Sequence, residues 1–206
     1  MGHPLQTSRG FFFLKNNTMN KILFILLLAS AFSAQSQPLV RATVSSAFDG
    51  DGCRVRFSPK EKTTEIRFRD IDAPECRGYS INTQPYGNIA RDSLRAWILK
   101  KEILLDTSKV AGKSRDVYGR LLAVPYFAAD TASISFRLVD QGFAWYVPTR
   151  FGNKEAKRLL SNAMKDAKAN KRGLWLSYLL PDGKTARILT PETWRRKFSF
   201  RAFWKR

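Results

Sequence analysis

Alternating apolar and polar residues predict short β-strands in the first half of the chain. VRATVSSAF (residues 40–48) reads as a strand, with apolar side chains at positions 40, 42 and 44, and CRVRF (residues 53–57) alternates throughout, as in a strand with one buried face. The turn sequence DGDG separates these two runs, and SPKEK leads into a third. The predicted strands are 40–48, 53–57, 63–71, 102–107 and 119–127.

Three other segments repeat their apolar residues at the three- and four-residue spacing of an α-helix. They are 87–101, 133–142 and 154–173, and the last two end near Gly142 and Gly173. Three strands, a helix, two strands and then helices are typical of a small five-stranded barrel with helices packed against it. The expected fold class is therefore α+β.

An apolar run near the N-terminus has the features of a signal peptide. Lys21 precedes the run from Ile22 to Phe32, and small residues just before Gln37 predict cleavage there. The run is about 11 residues long, which is short for a bilayer-spanning helix. Residues 1–36 are interpreted as an upstream extension with a signal peptide, and the product is expected in a periplasm or outside the cell. An uncleaved membrane anchor is the alternative.

The composition is strongly basic. The chain has 36 Lys and Arg against 17 Asp and Glu, a formal net charge of +19. Such a charge predicts attraction to polyanions, which include nucleic acid, anionic membranes and acidic glycans. The single histidine is His3, inside the predicted leader, so the exported product would contain no histidine general base and no histidine-ligated zinc.

Carboxylates nevertheless gather at the ends of two predicted strands. Asp49 and Asp51 lie in FDGDG, and Asp72 and Glu75 lie in IRFRDIDAPE. Taken alone, the Asp-Gly pairs are ordinary turn residues. If the third strand pairs within the barrel, Asp51, Asp72 and Glu75 come together as a site made only of oxygen donors. Such a site suits a hard cation such as Ca²⁺ better than a transition metal.

Two cysteines adjoin this acidic region. Cys53 follows Asp51 by two positions, and Cys76 directly follows Glu75. In an oxidising compartment an even number of cysteines indicates a disulfide, and a shared acidic site would bring these two strand ends together. Two separate buried thiols are the alternative, and the sequence leaves both open.

Six segments in collinear order resemble the staphylococcal nuclease (thermonuclease) family. They are DGDG, IRFRDIDAPE, YGNIAR, DVYGRLLA, LVDQGFAW and KANKRGLW, between about residue 40 and about residue 176. The resemblance implies an OB-fold barrel with three helices in residues 37–180. It also implies a Ca²⁺-dependent phosphodiesterase acting on DNA and RNA, and we expect a monomer without a stable protein partner.

The resemblance implies roles for the matching acidic residues. Asp51 and Asp72 match the two metal-binding aspartates, and the backbone carbonyl of Ala73 matches a further ligand. Asp49 matches an acid of the outer shell. Glu75 matches the glutamate that holds the attacking water.

The resemblance extends to phosphate and nucleotide contacts. Arg67 and Arg120 match the two phosphate-binding arginines, which with the glutamate form the catalytic set. Tyr118 matches a tyrosine that lines the nucleotide site. Trp145 and Tyr146 lie close to the position at which one family member has a base-stacking tyrosine, so both are expected to contact substrate.

The C-terminal segment 181–206 is predicted to be an appended tail. Its last part, RRKFSFRAFWKR, is basic and aromatic without a clean period, which suggests binding to nucleic acid, with a solvated end as the alternative. For the whole chain two other functions stay open, a non-catalytic OB-fold binding module and a cationic protein of a membrane surface. The complete set of acids and arginines favours the enzyme.

Overall fold

The computed structural model describes residues 39–76, 82–109, 112, 114–148, 153–176 and 188–198. The strands of this part of the chain are β1 (Val40–Ala47), β2 (Gly52–Arg56), β3 (Thr64–Phe68), β4 (Ile71–Asp72), β5 (Glu102–Asp106), β6 (Leu121–Phe127) and β7 (Trp145–Tyr146). Five of them close into a barrel in the order β1-β2-β3-β6-β5, and β4 pairs with β7 separately. The predicted five-stranded barrel and its α+β class are confirmed.

The barrel is antiparallel except at one seam. Strands β3 and β6 run parallel, with Ile66 opposite Leu121 and Phe68 opposite Ala123. The alternation seen in the sequence determines which side chains face inward. The fully buried ones include Val44, Val55, Ile66, Phe68, Ile103 and Leu105, all at alternate strand positions.

The described helices are α1 (Gly87–Ile98), α2 (Ile134–Asp140), α3 (Lys154–Ala169) and α4 (Pro191–Phe198), with a 3₁₀ turn at Gly173–Trp175. The first three correspond to the predicted helices, with shorter ends. Helix α1 stops before Lys100, whose φ of 61° is incompatible with continuing a right-handed helix. Helix α4 differs from the irregular tail that was expected, and residues 181–187 and 199–206 of that tail lie outside the described residues.

The third predicted strand, 63–71, is two strands. Asp70 has a φ of 62°, a left-handed conformation that Asp tolerates better than most residues, and it turns the chain after β3. Strand β4 then pairs with β7, so that Ile71 lies opposite Tyr146 and Asp72 opposite Trp145. This turn carries Asp72 out of the barrel wall to the end of the molecule where the other acids lie.

Close backbone contacts fix the segment that follows Asp72. A methyl group added at Gly87 would lie 2.3 Å from the carbonyl oxygen of Glu75, so only glycine permits this approach of α1. At Gly50 the added methyl would lie 2.7 Å from the Cβ of Ala73 and 2.8 Å from that of Ala90. The turns that carry Asp51 and Glu75 therefore pack directly on the start of α1.

Residues 1–36, the predicted extension and signal peptide, lie outside the described residues. In the described part of the chain no helix combines the length and the apolar character needed to cross a membrane.

Candidate active site

Two buried aspartates meet at one end of the barrel. Asp51 stands directly before β2 and Asp72 ends β4, and they are only 4% and 6% exposed. Arg67 of β3 bridges them: its Nη1 pairs with Asp51 Oδ1, and its Nη2 donates to Asp72 Oδ1 at 2.8 Å. The remaining oxygen of Asp51 accepts the N–H of Ala73 at 2.6 Å. The structure thus brings together three predicted site residues and the backbone of a fourth.

Glu75 stands beside this pair and is held through its backbone. Its N–H donates to Gln84 Oε1 at 3.1 Å, and its carbonyl accepts the N–H of Gln84 at 2.9 Å. Burial raises the pKa of the Glu75 carboxyl, and hydrogen bonds from Arg195 oppose that shift. Gln84 was missed by sequence reasoning, because a single glutamine in a loop carries no distinctive pattern.

The guanidinium of Arg195 in α4 contacts both Asp72 and Glu75. Its Nη1 and Nη2 donate to the two carboxylate oxygens of Asp72 at 3.1 and 2.9 Å. Nη1 also donates to Glu75 Oε1. The sequence assigned Arg195 to the tail, where only its charge was informative. Its contacts with Asp72 and Glu75 were not predicted.

Arg120 stands immediately before β6 and is oriented by Asp116. Its Nε donates to Asp116 Oδ2 at 2.7 Å, and Asp116 Oδ1 accepts the backbone N–H groups of Tyr118 and Arg120, each at 2.9 Å. Asp116 is a positioning residue that sequence reasoning passed over, although its four-residue spacing from Arg120 was visible in DVYGR.

Asp49 lies behind the aspartate pair. Its Oδ1 accepts the N–H of Asp51 at 3.2 Å. Burial and the negative charge of Asp51 raise the pKa of Asp49 well above its usual range, while the positive charges of Arg67 and Arg120 oppose the shift. Arg120 therefore acts electrostatically on Asp49, as Arg67 does.

The acids suit a hard cation in the kind of donor that they offer. Carboxylates from Asp51 and Asp72 and the carbonyl of Ala73 are oxygen ligands of the type that Ca²⁺ and Mg²⁺ accept. In the described ranges, however, no three Asp, Glu, His or Cys side chains are arranged to hold a metal ion. Both oxygens of Asp72 accept hydrogen bonds from guanidinium groups, so a cation would have to displace at least one of them.

The aromatic residues expected at the substrate are placed differently from one another. Tyr118 is 83% exposed, and the guanidinium carbon of Arg120 lies 5.6 Å from its ring centroid. Tyr146 is partly buried in β7. Trp145 is 8% exposed and packs edge-on against Trp175, with ring centroids 5.4 Å apart. Its role is therefore corrected from substrate contact to packing, because its ring is not available for a base to stack on.

The two cysteines are separate buried thiols in this structure. Cys53 is part of the barrel core. Its backbone lies opposite Ala47 of β1 and Ile66 of β3. Cys76 donates from Sγ to the carbonyl oxygen of Gly87 at 3.1 Å. The predicted disulfide is thus replaced by the alternative, because one thiol faces the barrel interior and the other faces the start of α1.

We expect neither thiol to react in the native protein and two thiols per chain to react after denaturation without reductant. Burial raises the pKa of both groups, that of Cys76 to about 12, so little thiolate forms at neutral pH. Titration with a chromogenic disulfide reagent before and after adding guanidinium chloride measures both states. A denatured chain without titratable thiols would show that the bridge forms.

Comparisons with known proteins show what this chain is similar to. The family described as Staphylococcal nuclease homologue matches residues 65–177. Endonuclease YncB of Bacillus subtilis is 29% identical over 69% of this chain, which spans 65% of that protein's length. An uncharacterized endonuclease of Escherichia coli O157:H7 is 32% identical over 66% of the chain and 77% of its own length. An uncharacterized endonuclease of Haemophilus influenzae is 26% identical over 84% of the chain and 83% of its own length.

Proposed function

This chain belongs to the staphylococcal nuclease homologue family, and we propose that it is an exported, Ca²⁺-dependent nuclease that hydrolyses phosphodiester bonds in DNA and RNA. The observation that carries the proposal is the bridge from Arg67 to the buried Asp51 and Asp72, with Glu75 beside it. A buried cluster of acids and guanidinium groups at the end of a basic barrel can bind both a cation and a phosphate.

Arg67 and Arg120 hold the phosphate. Each guanidinium is a planar fork that matches two phosphate oxygens and stays protonated at any working pH. Arg67 is fixed by its aspartate partners and Arg120 by Asp116, so both donors are in place before substrate arrives. Donors fixed in this way stabilise the negative charge that grows on the non-bridging oxygens in the transition state.

Glu75 positions the attacking water and takes its proton. The water oxygen forms a bond to phosphorus, the ester oxygen on the far side leaves with the bonding electrons, and it is protonated from solvent. The raised pKa of Glu75 makes this carboxylate a better proton acceptor than an exposed glutamate. Asp51, Asp72 and the Ala73 carbonyl would hold Ca²⁺, which when bound supplies Lewis-acid polarisation of the phosphate.

We expect cleavage of nucleic acid with Ca²⁺ and none with a chelator. Purified protein is incubated with single-stranded DNA, duplex DNA and RNA in Ca²⁺, in Mg²⁺ and in chelator, and products are resolved by gel. Mg²⁺ is expected to support less activity, because it demands a stricter octahedral geometry than Ca²⁺. Equal cleavage in chelator would contradict the metal requirement. Slower migration of uncut nucleic acid on the gel, with no cleavage in the presence of either cation, would identify a non-catalytic binding module instead.

Export is proposed on the signal-peptide features of the N-terminal segment. N-terminal sequencing of the product recovered outside the cytoplasm is expected to begin at Gln37. Recovery in the membrane fraction with an intact N-terminus would identify the uncleaved anchor.

A further inference from the structure

Helix α4 places the side chain of Arg195 against Asp72, which would hold the cation in the proposed function, and against Glu75, which would position the water. Arg195 contacts Asp72 through both terminal nitrogens and Glu75 through one of them. The carboxylate side chains of Asp72 and Glu75 are only 9% and 11% exposed, whereas that of Arg195 is 41% exposed. The acids are therefore fixed parts of the barrel end, and the arginine is a partner that reaches them from outside.

Polar contacts on the neighbouring loop hold α4 in this position. The indole Nε1 of Trp194 donates to the carbonyl of Asn82 at 3.1 Å. Gln84 Nε2 donates to the carbonyl of Leu189 at 2.7 Å, while the other end of the same amide holds the backbone of Glu75. Pro191 is buried at the start of the helix. The loop that positions Glu75 thus also positions Arg195.

We propose that the segment 188–198 is an autoinhibitory plug. Arg195 holds Asp72 and Glu75 while cation and nucleic acid are absent, and it must leave before either acid can act. The inference rests on the proposed function for the identity of the incoming groups. Among the described residues, Arg195 shares Asp72 Oδ1 with Arg67 and alone donates to Oδ2, the oxygen that Arg67 leaves open, so docking of Arg195 opposes the binding of a divalent cation at Asp72.

Nucleic acid favours the released state. Arg195 is followed by Arg196 and Lys197, so the end of α4 carries three consecutive positive charges. Once undocked, these side chains can contact phosphates, which compensates for the lost contacts with the acids. A ligand shifts an equilibrium only if it binds one state more tightly than the other. A polyanion binds the undocked state more tightly, because the basic side chains of α4 are then free to contact its phosphates.

The first test measures Ca²⁺ binding to the full-length chain by isothermal titration calorimetry, without nucleic acid. If the plug is docked in about nine of ten molecules, its removal strengthens the apparent Ca²⁺ affinity about tenfold. We expect Arg195→Ala to show this increase. Arg196→Ala is the matched control, because it removes the same charge from the next position and leaves the Ca²⁺ affinity unchanged.

A second variant tests docking without altering charge. Trp194→Phe keeps the aromatic contact with Phe198 and removes the indole donor to Asn82. It is expected to strengthen Ca²⁺ binding by less than Arg195→Ala does. Hydrogen–deuterium exchange supplies an independent readout: Ca²⁺ is expected to accelerate exchange in 188–198 of the wild-type chain and to slow it in 72–76.

Equal Ca²⁺ affinity of Arg195→Ala and wild type would overturn the plug. Reduced turnover of Arg195→Ala at unchanged Ca²⁺ affinity would also overturn it and would assign Arg195 to the phosphate. Failure of the proposed nuclease function gives a different result, in which no variant cleaves nucleic acid. Tighter Ca²⁺ binding by Arg195→Ala would then still support the plug.

Discussion

Replacing Arg67 with alanine is expected to reduce the turnover number of nucleic-acid cleavage by about 10²–10³-fold, the usual cost of losing one fixed donor to transition-state charge. The same change leaves Asp51 without its guanidinium partner inside the protein. Breaking a buried ion pair from one side costs about 3–5 kcal/mol of folding free energy. Initial rates at saturating substrate and urea unfolding curves measure the two effects.

Arg69→Ala is the matched control for this prediction. Arg69 follows the same strand, and its Nη2 pairs with Asp106 Oδ2 at 2.8 Å and not with Asp51 or Asp72. Its side chain is also mostly buried, so its loss should lower stability while the turnover of the folded enzyme is retained. If both variants lose turnover equally once they are folded, the loss comes from disturbance of the barrel structure and not from a missing phosphate contact.

Replacing Glu75 with glutamine is expected to lower the turnover number by about 10²–10⁴-fold, the typical contribution of a positioned general base. The amide has the size of the carboxyl and lacks its basicity, and the backbone bonds to Gln84 do not depend on the side chain. The fold and the Michaelis constant should therefore change little. Steady-state kinetics on a defined oligonucleotide separates the two constants.

Glu65→Gln provides the comparison for Glu75→Gln. Glu65 pairs with Arg54 on the barrel wall at 2.6 Å and is far more exposed than Glu75. An exposed pair of this kind contributes little, so near-normal kinetics are expected. Wild-type turnover in Glu75→Gln would remove this residue from the reaction and leave Asp51, Asp72 and the two arginines as the remaining candidates.

The barrel was predictable because strand alternation reports burial directly. Val55, Ile66 and Leu105 are apolar at inward positions, and each proved fully buried. The break at Asp70 was not predictable, because an aspartate before an apolar residue fits a continuing strand as well as a turn. The direction of Cys53 into the core and of Cys76 toward α1 likewise depends on this local geometry.

Helix α4 was not predictable from periodicity, because its apolar residues Pro191, Trp194 and Phe198 span only eight positions, which is too short a pattern to show a repeat. Its only buried residue is Pro191, and its position depends on the polar contacts of Trp194 and Arg195. Trp145 illustrates the complementary problem. An aromatic side chain serves equally well in packing and in base stacking, and only its contact with Trp175 distinguishes the two.

The parallel seam between β3 and β6 determines the order in which the site can form during folding. Strands β1, β2 and β3 pair with sequence neighbours, and they carry or flank Asp51 and Arg67. Arg120 reaches them only when Leu121 pairs with Ile66, a contact between distant parts of the chain that requires a large loop closure. A nascent or refolding chain would therefore bring Asp51 and Arg67 together before Arg120. Asp72 depends on the equally distant pairing of β4 with β7, so the ability to cut would be among the last properties that the chain acquires.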